Sequence, residues 1–130
     1  MDTGSVKIVF LDLILHGEPA VFTAEAAHCA QDQGQFWAYH DLLFENYAGK
    51  PFTRKQLDGF AKKLSLEMGA FGSCLDKHKY RAFVISSSQD ARKMGIKIIP
   101  TLLINQRIVE GFVPFKTLQP VIAEELKKIP

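Results

Sequence analysis

Residues 95–112 read Gly95-Ile96-Lys97-Ile98-Ile99-Pro100-Thr101-Leu102-Leu103-Ile104-Asn105-Gln106-Arg107-Ile108-Val109-Glu110-Gly111-Phe112, and along them the apolar period changes from helical to extended. Thr101 to Ile104 reads as a strand entered through Pro100. Asn105-Gln106-Arg107 turns the chain, and Ile108 to Phe112 forms the return strand of a hairpin. Proline removes a ladder donor and is confined to a strand's edge, start or bulge, so the plain reading of Pro100 is a strand-start proline with a trans bond.

Working outward, Leu118, Val121, Ile122 and Leu126 lie on one face of a terminal helix. That helix either starts near Phe115 with Pro120 early in it, or starts at Pro120. Upstream, Tyr80, Val84, Ser87, Ala91 and Met94 mark a helix closed by Gly95, and Met68, Phe71, Cys74 and Leu75 a shorter one. Thr53 to Gln56 fits a capping box ahead of Leu57, Phe60, Ala61 and Leu64. Phe36, His40, Leu43, Phe44 and Tyr47 form a stripe that ends at Gly49, with Trp37 beside it. Pro19 suits a first helical turn, followed by Ala20, Ala24, Ala27 and Gln31 up to Gly34. Val6 to Leu11 is a short β-branched apolar run and reads as a buried strand. Strand, helices, strand, hairpin and helix make an α/β chain with about three strands.

The composition agrees with a single domain over 1–130: 130 residues, 47% hydrophobic and 23% charged, amply apolar for one core and against a disordered chain. A net charge of +2 without a basic stripe argues against a nucleic-acid partner. Apolar runs of only a few residues argue against a membrane span. The first residues carry no basic n-region or apolar h-region. Taken as given, the chain reads as cytoplasmic, or as extracytoplasmic if a leader was trimmed. Cys29 and Cys74 are too far apart for Cys-x-x-Cys or a zinc knuckle, so no metal or other cofactor is expected. At apolar helical positions both can serve as small buried hydrophobes.

Neighbours on a helix point about 100° apart, so neither His28-Cys29 nor His40-Asp41 is expected to converge on a metal or to form a nucleophile pair. His40 reads as a hydrogen-bonded core histidine, and Phe36, Trp37, Tyr39 and Phe44 as core aromatics. Lys62-Lys63 and Lys127-Lys128 read as solvated helix faces.

Residues 24–44, from Ala24-Glu25-Ala26-Ala27-His28-Cys29 to Phe36-Trp37-Ala38-Tyr39-His40 and Phe44, together with Phe71-Gly72-Ser73-Cys74-Leu75-Asp76 and the Gly95 to Asn105 segment, carry a family likeness. The chain resembles the DsbA-like thioredoxin-fold thiol-disulfide oxidoreductases over nearly all of Val6 to Leu126. The resemblance implies an α/β thioredoxin-like fold, truncated, with a helical insertion over about 19–75 and a cis Ile99–Pro100 bond. In such proteins the loop at Ile99, Pro100 and Thr101 pairs with an extended polypeptide substrate. Some relatives join the equivalents of Cys29 and Cys74 in a structural disulfide, the alternative to two free thiols.

The departure from the family is the absence of Cys-x-x-Cys at a helix N-terminus, where the attacking thiolate would be made. No catalytic residue carries over, and the chain as given is expected to be inactive in protein disulfide exchange. The alternative is a non-catalytic binding module that uses the proline loop for a polypeptide or protein partner. A glutathione-linked transferase is a further reading that no residue argues for. By the resemblance the chain begins after the catalytic strand and helix, which leaves a gap in the sheet. That gap can be closed by pairing Val6 to Leu11 directly with the Pro100 strand, which leaves apolar surface uncovered, or in a homodimer through the N-terminal strand, which is the expectation.

Overall fold

The computed structural model describes residues 4–129. Its elements are α1 (Glu18–Gln31), α2 (Phe36–Asn46), α3 (Arg54–Lys63), α4 (Met68–Asp76), α5 (Arg81–Lys93), β1 (Thr101–Ile104), β2 (Arg107–Glu110) and α6 (Phe115–Leu126). The described residues divide into two units, 12–90 and 4–11 with 91–129.

The helical unit is organised around α1. Gly17 precedes it at φ 68°, a left-handed conformation that glycine adopts without a Cβ penalty, and Pro19 follows in the first turn. Its small residues Ala26, Ala27, Cys29 and Ala30 are buried, and α2, α3 and α4 pack on the helix. Tyr39, Leu57, Phe71 and Leu75 fill the space between these helices with no exposure at all. The Tyr39 hydroxyl donates to the Leu57 carbonyl at 2.9 Å, which supplies the partner a buried phenol requires. α3 begins with the expected capping box, in which Thr53 accepts from the Gln56 amide and Gln56 accepts from the Thr53 N–H. In the α1–α2 turn, the Gln33 side chain accepts from Glu67 N–H at 2.7 Å and donates to the Glu67 carbonyl at 3.1 Å. Glu67 is the N-cap of α4, and its own carboxylate takes the Gly69 and Ala70 N–H groups. Those two bonds hold its carboxyl below the usual range.

The other unit contains the sheet. β1 and β2 are antiparallel with Ile104 opposite Arg107 and Thr101 opposite Glu110, joined by Asn105-Gln106 with Asn105 at φ 53°. Asparagine tolerates that left-handed turn position. Two-residue loops place a hydrogen-bonded pair beside the turn, so 104/107, 102/109 and 100/111 are the bonded pairs. The 2.8 Å bond from Gly111 N–H to the Pro100 carbonyl fits that alternation. α6 begins at Phe115 and contains Pro120, which decides between the two starts left open by the sequence.

Two expectations are corrected. Val6 to Leu11 is not a buried strand: residues 6–15 belong to no helix or strand, and Val9 is 74% exposed. A strand exists through its ladder, and among the described residues β1 pairs only with β2, so the sheet has two strands rather than three. Further on, side chains take the place of a ladder, as Asp12 N–H donates to Ser87 Oγ at 3.0 Å and Ile14 N–H to Ser88 Oγ at 2.9 Å. The second correction concerns α2, where Tyr39 is a core aromatic but Trp37 and Phe44 are 46% and 71% exposed. Its buried face runs through Tyr39, Leu42 and Leu43, and this rotates those two rings outward.

Phe71 lies at the centre of the helical core, where its surroundings can collapse only in part. Phe71→Ala should lower the stability of the helical unit by about 3–5 kcal/mol, read as an earlier denaturant midpoint at unchanged slope.

Candidate functional site

Ile99, Pro100 and Thr101 lie in succession at the entrance to β1, and the Ile99–Pro100 peptide bond is cis. Thr101 Oγ1 donates to the Ile98 carbonyl at 2.7 Å, closing the loop on itself. Ile98 and Ile99 are about half exposed, and among the described residues no hydrogen bond engages the Ile99 backbone. The loop therefore offers an apolar side chain beside a backbone donor and acceptor, the pattern by which an extended peptide is held.

Within the helical unit, Cys29 of α1 and Cys74 of α4 form a disulfide with their Cα atoms 5.8 Å apart. Both residues are buried, and the bond leaves no free thiol. His28, the neighbour of Cys29, turns away from it. Its Nε2 lies 2.8 Å from Asp12 Oδ2 and its Nδ1 3.0 Å from Gln31 Oε1. Phe36, Tyr80 and Phe83 surround the ring with centroids 5.0–5.5 Å away. Burial pushes the imidazole pKa down, but the hydrogen bonds to Asp12 and Gln31 and the Asp12 charge outweigh it, so the value is raised overall. Glu25, fully buried on the same helix, has His78 Nδ1 at 3.1 Å.

His40 is not a core histidine, since it stacks on exposed Phe44 at 4.5 Å and meets Trp37 edge-on at 5.3 Å. Although neighbours on a helix point apart, its Nδ1 lies 3.1 Å from Asp41 Oδ1. Among the described residues, no three His, Cys, Asp or Glu side chains converge as metal ligands do. Among the described residues, no helix is long and apolar enough to cross a membrane. Asp12 had no mark in the sequence. Its pairing with His28 spans 16 positions, and no spacing rule connects a loop carboxylate to a helix at that distance.

Two measurements follow. Because the folded pKa of His28 lies above its ordinary value of 6.5, the pair contributes in full below that pH. The contribution is lost as pH rises through the folded value. The denaturant midpoint should therefore decline as pH rises above 6.5, and Asp12→Asn should flatten the decline. Separately, the disulfide closes a loop of 45 residues, so its reduction, or Cys29→Ser with Cys74→Ser, should cost about 4 kcal/mol in the same assay.

A family model described as thioredoxin matches residues 1–124. Disulfide bond formation protein D of Bacillus subtilis (strain 168) is 27% identical over 136 aligned residues, covering 98% of this chain and 60% of that protein. The chain thus spans about 60% of the length of that curated relative. A Na(+)/H(+) antiporter, NhaA 1, of Salinispora arenicola (strain CNS-205) is 28% identical over 103 residues, 79% of this chain and 16% of that protein. Among solved structures, a thioredoxin-like oxidoreductase from Silicibacter pomeroyi DSS-3 shares the fold with a TM-score of 0.75 at 24% identity, covering 92% of this chain and 68% of the other. Since that family model spans residues 1–124, well over half of the sequence, the chain belongs to the thioredoxin family, in the DsbA-like form its sequence resembles.

Proposed function

We propose that these residues hold polypeptide for thiol-disulfide exchange and do not carry the exchanging thiol themselves. The observation behind this reading is the fate of the two cysteines. Both are buried in one disulfide between α1 and α4, away from any helix N-terminus that would lower a thiol pKa. Exchange begins with an accessible thiolate, and these residues offer none. What they do offer is the Ile99, Pro100 and Thr101 loop, with its unengaged Ile99 backbone and half-exposed apolar side chains. Main-chain pairing there would give affinity for any extended polypeptide, and the flanking isoleucines would favour apolar side chains. The relative named for disulfide bond formation supports placing this role in protein disulfide chemistry.

Assayed alone, the chain should reduce insulin no faster than the uncatalysed background with dithiothreitol. It should nevertheless bind a reduced, unfolded polypeptide in fluorescence anisotropy, and Ile99→Asp should weaken that binding about tenfold, the loss of roughly 1.4 kcal/mol. Turnover above background that survives Cys29→Ser with Cys74→Ser would overturn the reading, and so would binding indifferent to Ile99→Asp.

A further inference from the structure

The unit that holds the hairpin lacks a core of its own. Among its described residues only Ala91 and Glu125 are buried, and Glu125 is held by polar partners, Asn105, Arg107 and Lys128. Its large apolar side chains face outward, from Ile8 and Val9 through Leu102 and Leu103 to Phe112 and Phe115.

The edge of β1 specifies what form the covering takes. Since 100/111, 102/109 and 104/107 are the bonded pairs, the N–H and C=O groups of Thr101 and Leu103 point away from β2. Among the described residues these outward groups have no backbone partner. Nothing in Thr101-Leu102-Leu103-Ile104 protects the edge, which carries no lysine, no inward charge and no bulge. The same unit carries a segment of complementary form. Residues 6–9, Val6-Lys7-Ile8-Val9, lie outside any helix or strand, and Ile8 and Val9 are 51% and 74% exposed. Four residues at about 3.3 Å each match the four-residue length of β1. One chain thus holds both halves of a strand pairing, an apolar segment without a ladder and a ladder edge without a strand.

We propose that a second copy of this chain covers the unit, residues 6–9 of each copy pairing with the outward edge of β1 in the other. The exchange is two-fold symmetric and closes on itself, so it yields a dimer and not a fibre. It uses the outward groups of Thr101 and Leu103, whereas the function proposed above rests on the Ile99 backbone, so a dimer and polypeptide binding stand or fall by separate measurements.

Sedimentation equilibrium of the full chain at tens of micromolar should give twice the 14.6 kDa monomer mass. In hydrogen exchange, the Leu103 amide should be protected as strongly as the Leu102 amide that bonds to β2. Val9→Lys places a charge in the new pairing. Leu103→Pro removes an outward donor without touching a β1–β2 bond. Each variant should return the mass to 14.6 kDa and expose the amides at the edge, with helical circular dichroism and the Cys29–Cys74 disulfide retained as evidence of folding. A monomer at these concentrations overturns the proposal, as does a dimer that neither variant dissociates. Leu103 protection that appears only when a different polypeptide is added also overturns it, and assigns the edge to that partner.

Discussion

Close approach of helix backbones to α1 is the constraint on which the helical unit depends. The part of that helix in the apolar core cluster is made of Ala26, Ala27, Cys29 and Ala30, and side chains this small let α2, α3 and α4 approach near enough for Tyr39, Phe71 and Leu75 to interlock over it. Larger groups there would push the neighbours apart and leave gaps beside the rings, and packed interiors respond sharply even to a single methylene. The disulfide fits the same requirement, since Cys29 takes little more space than alanine while tying α1 covalently to α4.

Beyond that packed face, polar groups fasten what apolar contact does not. Asp12 and Ile14 give their N–H groups to Ser87 and Ser88, and the Asp12 carboxylate is answered by His28. The backbone N–H groups of this loop are thus satisfied by side chains of α5, and its carboxylate by a side chain of α1. The unit with the hairpin follows a different economy. Its regular structure comes from local devices, the asparagine turn and the Gly111 to Pro100 bond, while its apolar surface stays open.

Features with a local cause were legible in the sequence. All six helices follow from spacing with their caps and breakers, as at Pro19, Thr53 and Gly95, and the hairpin follows from the extended run on each side of Asn105. Val6 to Leu11 forms no strand because an apolar β-branched run states a preference, whereas a strand needs a partner that lies elsewhere in space. Trp37 and Phe44 lie outside the core because a stripe of aromatics gives the width of an apolar face but not which part of it meets a neighbour. The cysteines were found, yet their joining was implied by the family resemblance and not by spacing, and Asp12 had no sequence signal at all. Apart from the His40–Asp41 pair, each of these features depends on a contact between distant positions, which periodicity does not encode.

The Gln33 side chain also places a chemical demand on its position. By accepting from Glu67 N–H and donating to Glu67 C=O, it makes both bonds that a peptide unit would make, and so stands in for one rung of a ladder between a turn and a helix start. Glutamate keeps the acceptor and loses the donor, leucine keeps the bulk and loses both, and asparagine is one methylene shorter. The residue at this turn is therefore selected by the backbone it completes and owes little to helix preference or hydropathy. Its length and its amide act together as a measure of how far the α1–α2 turn stands from the first turn of α4.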